Sequence, residues 1–95
     1  MEWTYRKINK RNKLFGIMTY QIACDLPGFF DAREWCWEQW GPGIEHEHFI
    51  NHQFYTKREM PWAWDCSKYH GASISNGSLY LRDEEQMSWF SLRWS

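Results

Sequence analysis

The sequence predicts a small α+β domain: a single-domain sandwich of about three to four mostly antiparallel strands with two helices on one face. Three observations predict it. Residues 15–26, FGIMTYQIACDL, alternate as a half-buried strand does. Two later segments open with helix-start signals, Asp31 with Glu34 and Asp83 with Gln86. Strand-like and helix-like segments then follow in the order β-α-β-(β)-β-α, and 95 residues suffice for one such domain.

The elements follow in order. In 15–26, Met18, Tyr20, Ile22, Cys24 and Leu26 share one face, with Ile17, Thr19, Gln21 and Ala23 on the other. Pro27-Gly28 ends that strand. The spacing predicts a helix over 31–40. Asp31 is its expected cap, and Phe30 and Trp35 have the spacing of a hydrophobic staple. Ala32, Trp35, Cys36 and Trp40 share a face, whereas Trp37 points elsewhere. Gly41 and Pro42 stop the helix. Residues 46–57 read as a second strand. Residues 58–75 are loop-like, with room for a short strand at Trp62-Ala63-Trp64. Asn76-Gly77 is the favoured pair for a two-residue hairpin turn. A third strand is expected at 78–82. Asp83 then caps a final helix bearing Met87, Phe90, Ser91 and Trp94. Phe90, Leu92 and Trp94 also alternate as a strand would. The cap and the acidic run 83–85 favour the helix.

Charge divides the chain. The total is −1, yet residues 1–14 hold Arg6, Lys7, Lys10, Arg11 and Lys13 against Glu2. A basic N-terminal arm, 1–14, on a mildly acidic domain, 15–95, is the expected organisation. Three cysteines, Cys24, Cys36 and Cys66, make a poor disulfide framework and suit a reducing compartment. The apolar stretch 14–18 is too short for a secretory signal, and no run approaches the roughly 20 apolar residues of a membrane span. The expectation is a soluble protein of the cytoplasm.

Few chemistries fit. His46 and His48 on a strand lie about 6.6 Å apart on one face, close enough to share a metal. His52 lies about 13 Å further along and cannot join them. Cys66 and His70 would have to fold over to complete a tetrahedral set. That spacing matches no established zinc pattern, and no cofactor is expected. Cys36 or Cys66 beside a histidine would be a nucleophile only with a local signature that is lacking. The glycines form no phosphate loop. An enzyme is not the expectation.

Binding fits the composition better. Eight tryptophans, five tyrosines and six phenylalanines make the chain 20% aromatic. Such rings are enriched at interface cores and hot spots. Trp37, off the main helical face, and Trp62 and Trp64, in a loop, are the candidate protein-binding residues. The competing use of the same rings is a core built from aromatics in a chain with no valine. Trp3, Tyr5, Arg6, Lys7, Lys10, Arg11 and Lys13 supply the alternative: rings that stack on bases and cations that meet phosphate in a single-stranded nucleic acid.

The helix segment Arg33-Glu34-Trp35-Cys36-Trp37-Glu38-Gln39-Trp40-Gly41-Pro42 and the ending Phe90-Ser91-Leu92-Arg93-Trp94-Ser95, which follows Leu79-Tyr80-Leu81 and Asp83, resemble small uncharacterised proteins of tailed bacteriophages. The resemblance covers about a third of the chain. It implies expression in the cytoplasm of a bacterial host, with a role in host takeover or in the virion structure, and assigns no catalytic residue. Neither the basic arm nor the histidine segment belongs to it. The combined expectation is an accessory protein that docks on a host or phage protein, with self-association as a further option.

Overall fold

In the computed structural model, residues 2–12, 14–25, 28–45, 61–66 and 76–95 are described, the side chains of Ile44, Glu45, Cys66 and Asn76 excepted. The chain forms β1 (Trp3–Lys7), β2 (Tyr20–Asp25), α1 (Gly28–Trp40), β3 (Ile44–Glu45), β4 (Trp62–Cys66), β5 (Asn76–Leu81) and α2 (Glu84–Trp94). Among these residues the sheet has the order β1-β2-β5-β4-β3. β1, β2, β5 and β4 are antiparallel to their neighbours, and the two-residue β3 adds in parallel to β4. The α+β class follows, with both helices on one face.

Strand alternation builds the core. Tyr20, Ile22 and Cys24 of β2, Leu79 and Leu81 of β5, and Trp62 of β4 point to that face. There they meet Phe29, Ala32 and Cys36 of α1 and Met87 and Phe90 of α2. Trp3, Trp35, Trp40, Trp64 and Trp94 pack around this centre, half-buried. Ring pairs are mostly edge-to-face, as for Trp35 with Trp40 at 5.3 Å and with Phe90 at 5.9 Å, the arrangement that ring quadrupoles favour.

The other face is covered at one end. Ile8, Leu14 and Met18 bury Tyr80 and Ala63 there. The strand expected from residue 15 therefore begins only at Tyr20, and Met18 lies on the face opposite to Tyr20. The cause is local. Asn9 and Asn12 side chains accept from the Arg11 and Leu14 amides, Leu14's carbonyl accepts from both Ile17 and Met18, and Gly16 sits at φ +88°. Turn chemistry thus overrides alternation.

Four further expectations change. The segment set apart as a basic arm is largely the edge strand β1 and the turn after it. α1 starts at Gly28, so Asp31 lies in its first turn and is not its cap. Asn76-Gly77 opens β5 rather than forming a hairpin turn, pairing with Asp25 and Cys24 of β2. A Cβ at Gly77 would lie 2.4 Å from Phe29 Cδ1, so this glycine admits the Phe29 ring onto the sheet. β5 accordingly covers 76–81, not 78–82. Trp62-Ala63-Trp64 does form a strand, and Gly41, at φ +82° with its N–H on the Trp37 carbonyl, does end α1.

The last element is a helix, as the cap favoured. Asp83 Oδ1 accepts from Gln86 N at 2.8 Å. Gln86 returns the contact one residue early, its Oε1 accepting from Arg82 N at 2.7 Å. Its Nε2 also donates to the Pro61 carbonyl at 2.7 Å, which ties the start of α2 to the entry of β4. The strand expected at 46–57 lies outside the described residues.

Candidate docking surface

α1 runs over the sheet with Phe29, Ala32 and Cys36 inward, which leaves Arg33 and Trp37, one turn apart, at its flank. Trp37 is 50% exposed. β4 brings Trp64 to the same flank, half-buried, its ring 6.3 Å from Phe29. The Arg33 guanidinium lies 4.6 Å from the Trp64 ring centroid and 5.1 Å from that of Phe30, within cation–π range of both. Arg33, Glu34, Trp37, Glu38 and Trp64 line an open recess of about 530 Å³. Its lining joins two indoles with two carboxylates one helical turn apart. The one cation in the lining already sits over rings.

Trp62 does not belong to this surface. It is wholly buried, its Nε1 donates to the Gly41 carbonyl at 2.8 Å, and its ring meets Trp37 edge-on at 6.5 Å. A Cβ on Gly43 would come within 2.4 Å of it. The expected trio is thus one exposed ring, one half-buried ring and one core residue. Strand alternation puts Trp62 and Trp64 on the same side, and the end of α1 roofs only the first.

The basic segment is dispersed. Trp3 stacks edge-on against Phe90 at 5.1 Å, and its Nε1 donates to the Trp94 carbonyl at 2.9 Å, so that half-buried ring is fixed at the junction of β1 and α2. Tyr5 is exposed and faces the helix side beside Tyr20. Arg6 lies on the opposite face, where Nε and one Nη donate to Gln21 Oε1. Lys7, Lys10 and Arg11 are exposed, the last two in the turn after β1. Lys13 lies outside the described residues.

His46, His48, His52 and His70 also lie outside the described residues, as does the side chain of Cys66. Among the described residues no group of three metal-binding side chains occurs. Cys24 and Cys36 are free thiols in the core. Burial, with the Asp25 carboxylate adding to it, pushes Cys24 up to about 12. Burial, then the neighbouring Cys24, drives Cys36 higher still. Both thiols stay protonated at neutral pH, so neither is a nucleophile there.

Sequence reasoning missed Arg33, Trp89 and Leu92. The signal for Arg33 was present, a cation one helical turn before Trp37. Trp89 and Leu92 are 56% and 75% exposed, and both fall off the face set by Met87, Phe90 and Trp94.

No family model, no curated protein and no solved structure matches the chain. No helix among the described residues is long and apolar enough to cross a membrane.

Proposed function

We propose that the chain is a protein-binding domain that docks through the flank of α1 and β4. The observation that carries this reading is the exposed Trp37 with Trp64 in a recess that Glu34 and Glu38 also line. Its chemistry suits a segment that inserts an apolar side chain between the indoles and sets a lysine or arginine beside it. The Arg33 stack holds the Trp64 ring, so little side-chain freedom is lost on binding. Docking of this kind acts by covering a surface on the target. The setting, a phage accessory protein in the cytoplasm of a bacterial host, rests on the sequence resemblance alone.

The test is affinity capture from bacterial lysate with the full chain, Trp37→Ala and Trp89→Ala. The expected result is a partner lost with Trp37→Ala and kept with Trp89→Ala, whose binding segment carries an apolar residue next to a cation. Steeply salt-dependent binding of single-stranded DNA, with no protein captured, would replace this reading by the nucleic-acid one.

A further inference from the structure

We infer that the open edge of the sheet is a pairing site for a second copy of this chain, joining two sheets through β1. This inference concerns the opposite side of the molecule and is independent of the docking surface above.

The backbone supplies the first argument. In the antiparallel β1–β2 ladder, Ile8 N–H donates to the Thr19 carbonyl at 2.8 Å and Asp25 N–H to the Glu2 carbonyl at 3.3 Å. Hydrogen-bonded positions alternate along such a ladder. Thr4 and Arg6 therefore turn their amides toward β2, as Glu2 and Ile8 do. Trp3, Tyr5 and Lys7 turn theirs outward, and β1 ends the sheet among the described residues. An edge of this kind is a template for another strand. Two copies of β1 in antiparallel register about Tyr5 place Tyr5 opposite Tyr5 and Trp3 opposite Lys7. Each pair exchanges both backbone bonds.

The side chains fit the same symmetry. Tyr5, Tyr20, Glu84, Met87, Ser88, Ser91 and Leu92 line a recess of about 520 Å³ where α2 overhangs this edge. Tyr5 and Leu92 are among the most exposed apolar residues described. Trp3 bonds to Trp94, so the C-terminal end of α2 lies over the start of β1. Glu84 lies beside Tyr20, which pairs with Lys7, so the N-terminal end lies over the end of β1. A two-fold axis through Tyr5 then makes the two α2 helices antiparallel. They approach at the small Ser88, and Leu92 of each copy comes to the acidic first turn of the other. That turn carries Asp83, Glu84 and Glu85, and the facing helix end carries Arg93. The charges are complementary without change, and a self-complementary two-fold contact is the commonest way chains pair.

The experiment is sedimentation of the full chain from low micromolar to near-millimolar concentration. It compares the unmodified protein with Tyr5→Pro, Leu92→Glu and Leu92→Arg. Proline at Tyr5 removes the outward N–H and the ring that meets Trp3 and Tyr20, and leaves the bonds to β2 in place. The expected result is a concentration-dependent dimer, with Kd raised at least about tenfold by Tyr5→Pro and by Leu92→Glu, and Leu92→Arg at least about tenfold tighter than Leu92→Glu. Circular dichroism checks that each variant is folded. If Tyr5→Pro does not fold, the two substitutions at the solvent-facing Leu92 decide. A monomer throughout the series overturns the inference. So does a dimer whose Kd ignores both Tyr5→Pro and Leu92→Glu, or one that does not distinguish glutamate from arginine at 92.

Discussion

Truncating Trp62 measures how far this indole belongs to the core. The ring is fully buried under the end of α1 and bonded to the Gly41 carbonyl. Removing a buried tryptophan side chain costs about 3–5 kcal/mol in lost transfer energy and cavity. A 95-residue domain has a total stability of about 5–14 kcal/mol. Trp62→Ala should therefore remove about a fifth of the stability at the least and nearly all of it at the most. Trp62→Phe keeps most of the volume and deletes the N–H···O bond, so its cost should be about 1–3 kcal/mol. Gly43→Ala attacks the same ring from outside. Its Cβ would sit 2.4 Å from Trp62 Cε2, and a ring held by a hydrogen bond in full burial cannot yield cheaply, so overpacking of about 1–3 kcal/mol is expected. Urea denaturation followed by far-UV circular dichroism gives all three values. A Trp62→Ala protein within about 0.5 kcal/mol of the parent would behave as a surface variant and refute the placement.

Two further outcomes follow from the same packing. Gly77→Ala should destabilise by about 1–3 kcal/mol through collision with Phe29, and combining it with Phe29→Leu should cost less than the separate losses added together, as a double-mutant cycle in urea would show. Stability should fall on the alkaline side: unfolded thiols ionise near pH 8.5, whereas folded Cys24 holds its proton to about 12. The folded state thus keeps protons that the unfolded chain releases. The contribution is complete below about pH 8.5 and is lost as pH rises through the folded value. Burial also pushes Tyr80 up to about 12, which extends the slope beyond pH 10. Denaturation midpoints from pH 7 to 11 should decline in the parent and decline less in Cys24→Ala, and parallel lines would exclude the linkage.

Legibility from sequence followed the range of the interaction. Asp83 and Gln86 were readable because a cap is settled within four residues, although the bond from Gln86 to Pro61 spans 25 positions and left no sign. Gly41 was readable as a helix stop for the same reason. The α1 start was misplaced by one turn, because Asp31 had all the properties of a cap while Phe29, three residues before Ala32, extends the buried face backward. Asn76-Gly77 has the composition of a turn, but the demand that decides it comes from Phe29, on another element. At the docking flank, helical phase was enough to expose Trp37. Nothing local distinguishes Trp62 from Trp64, since both sit on one strand face and only the position of α1 separates them. The edge strand β1 was hidden by its cations: Trp3-Thr4-Tyr5 alternates too briefly to stand out beside Arg6 and Lys7.

Two half-buried indoles at the junction of β1 and α2 separate hydrogen bonding from burial. Trp3 Nε1 donates to the Trp94 carbonyl, whereas Trp94 Nε1 is buried and has no partner among the described residues. Both rings pack on Phe90, at 5.1 Å for Trp3 and 6.2 Å for Trp94. Replacing either by phenylalanine sacrifices a similar apolar area. The polar terms have opposite signs. Trp3→Phe loses a bond worth about 1 kcal/mol and strips a helix-end carbonyl of its donor. Trp94→Phe removes an N–H whose desolvation costs about 1–3 kcal/mol without return. Trp94→Phe should therefore lie within about 1 kcal/mol of the parent in urea denaturation, and Trp3→Phe should be the more damaging by at least about 1 kcal/mol. If Trp94→Phe is as costly as Trp3→Phe, the Trp94 N–H is satisfied in solution and the ring sits differently against Trp35 and Arg93.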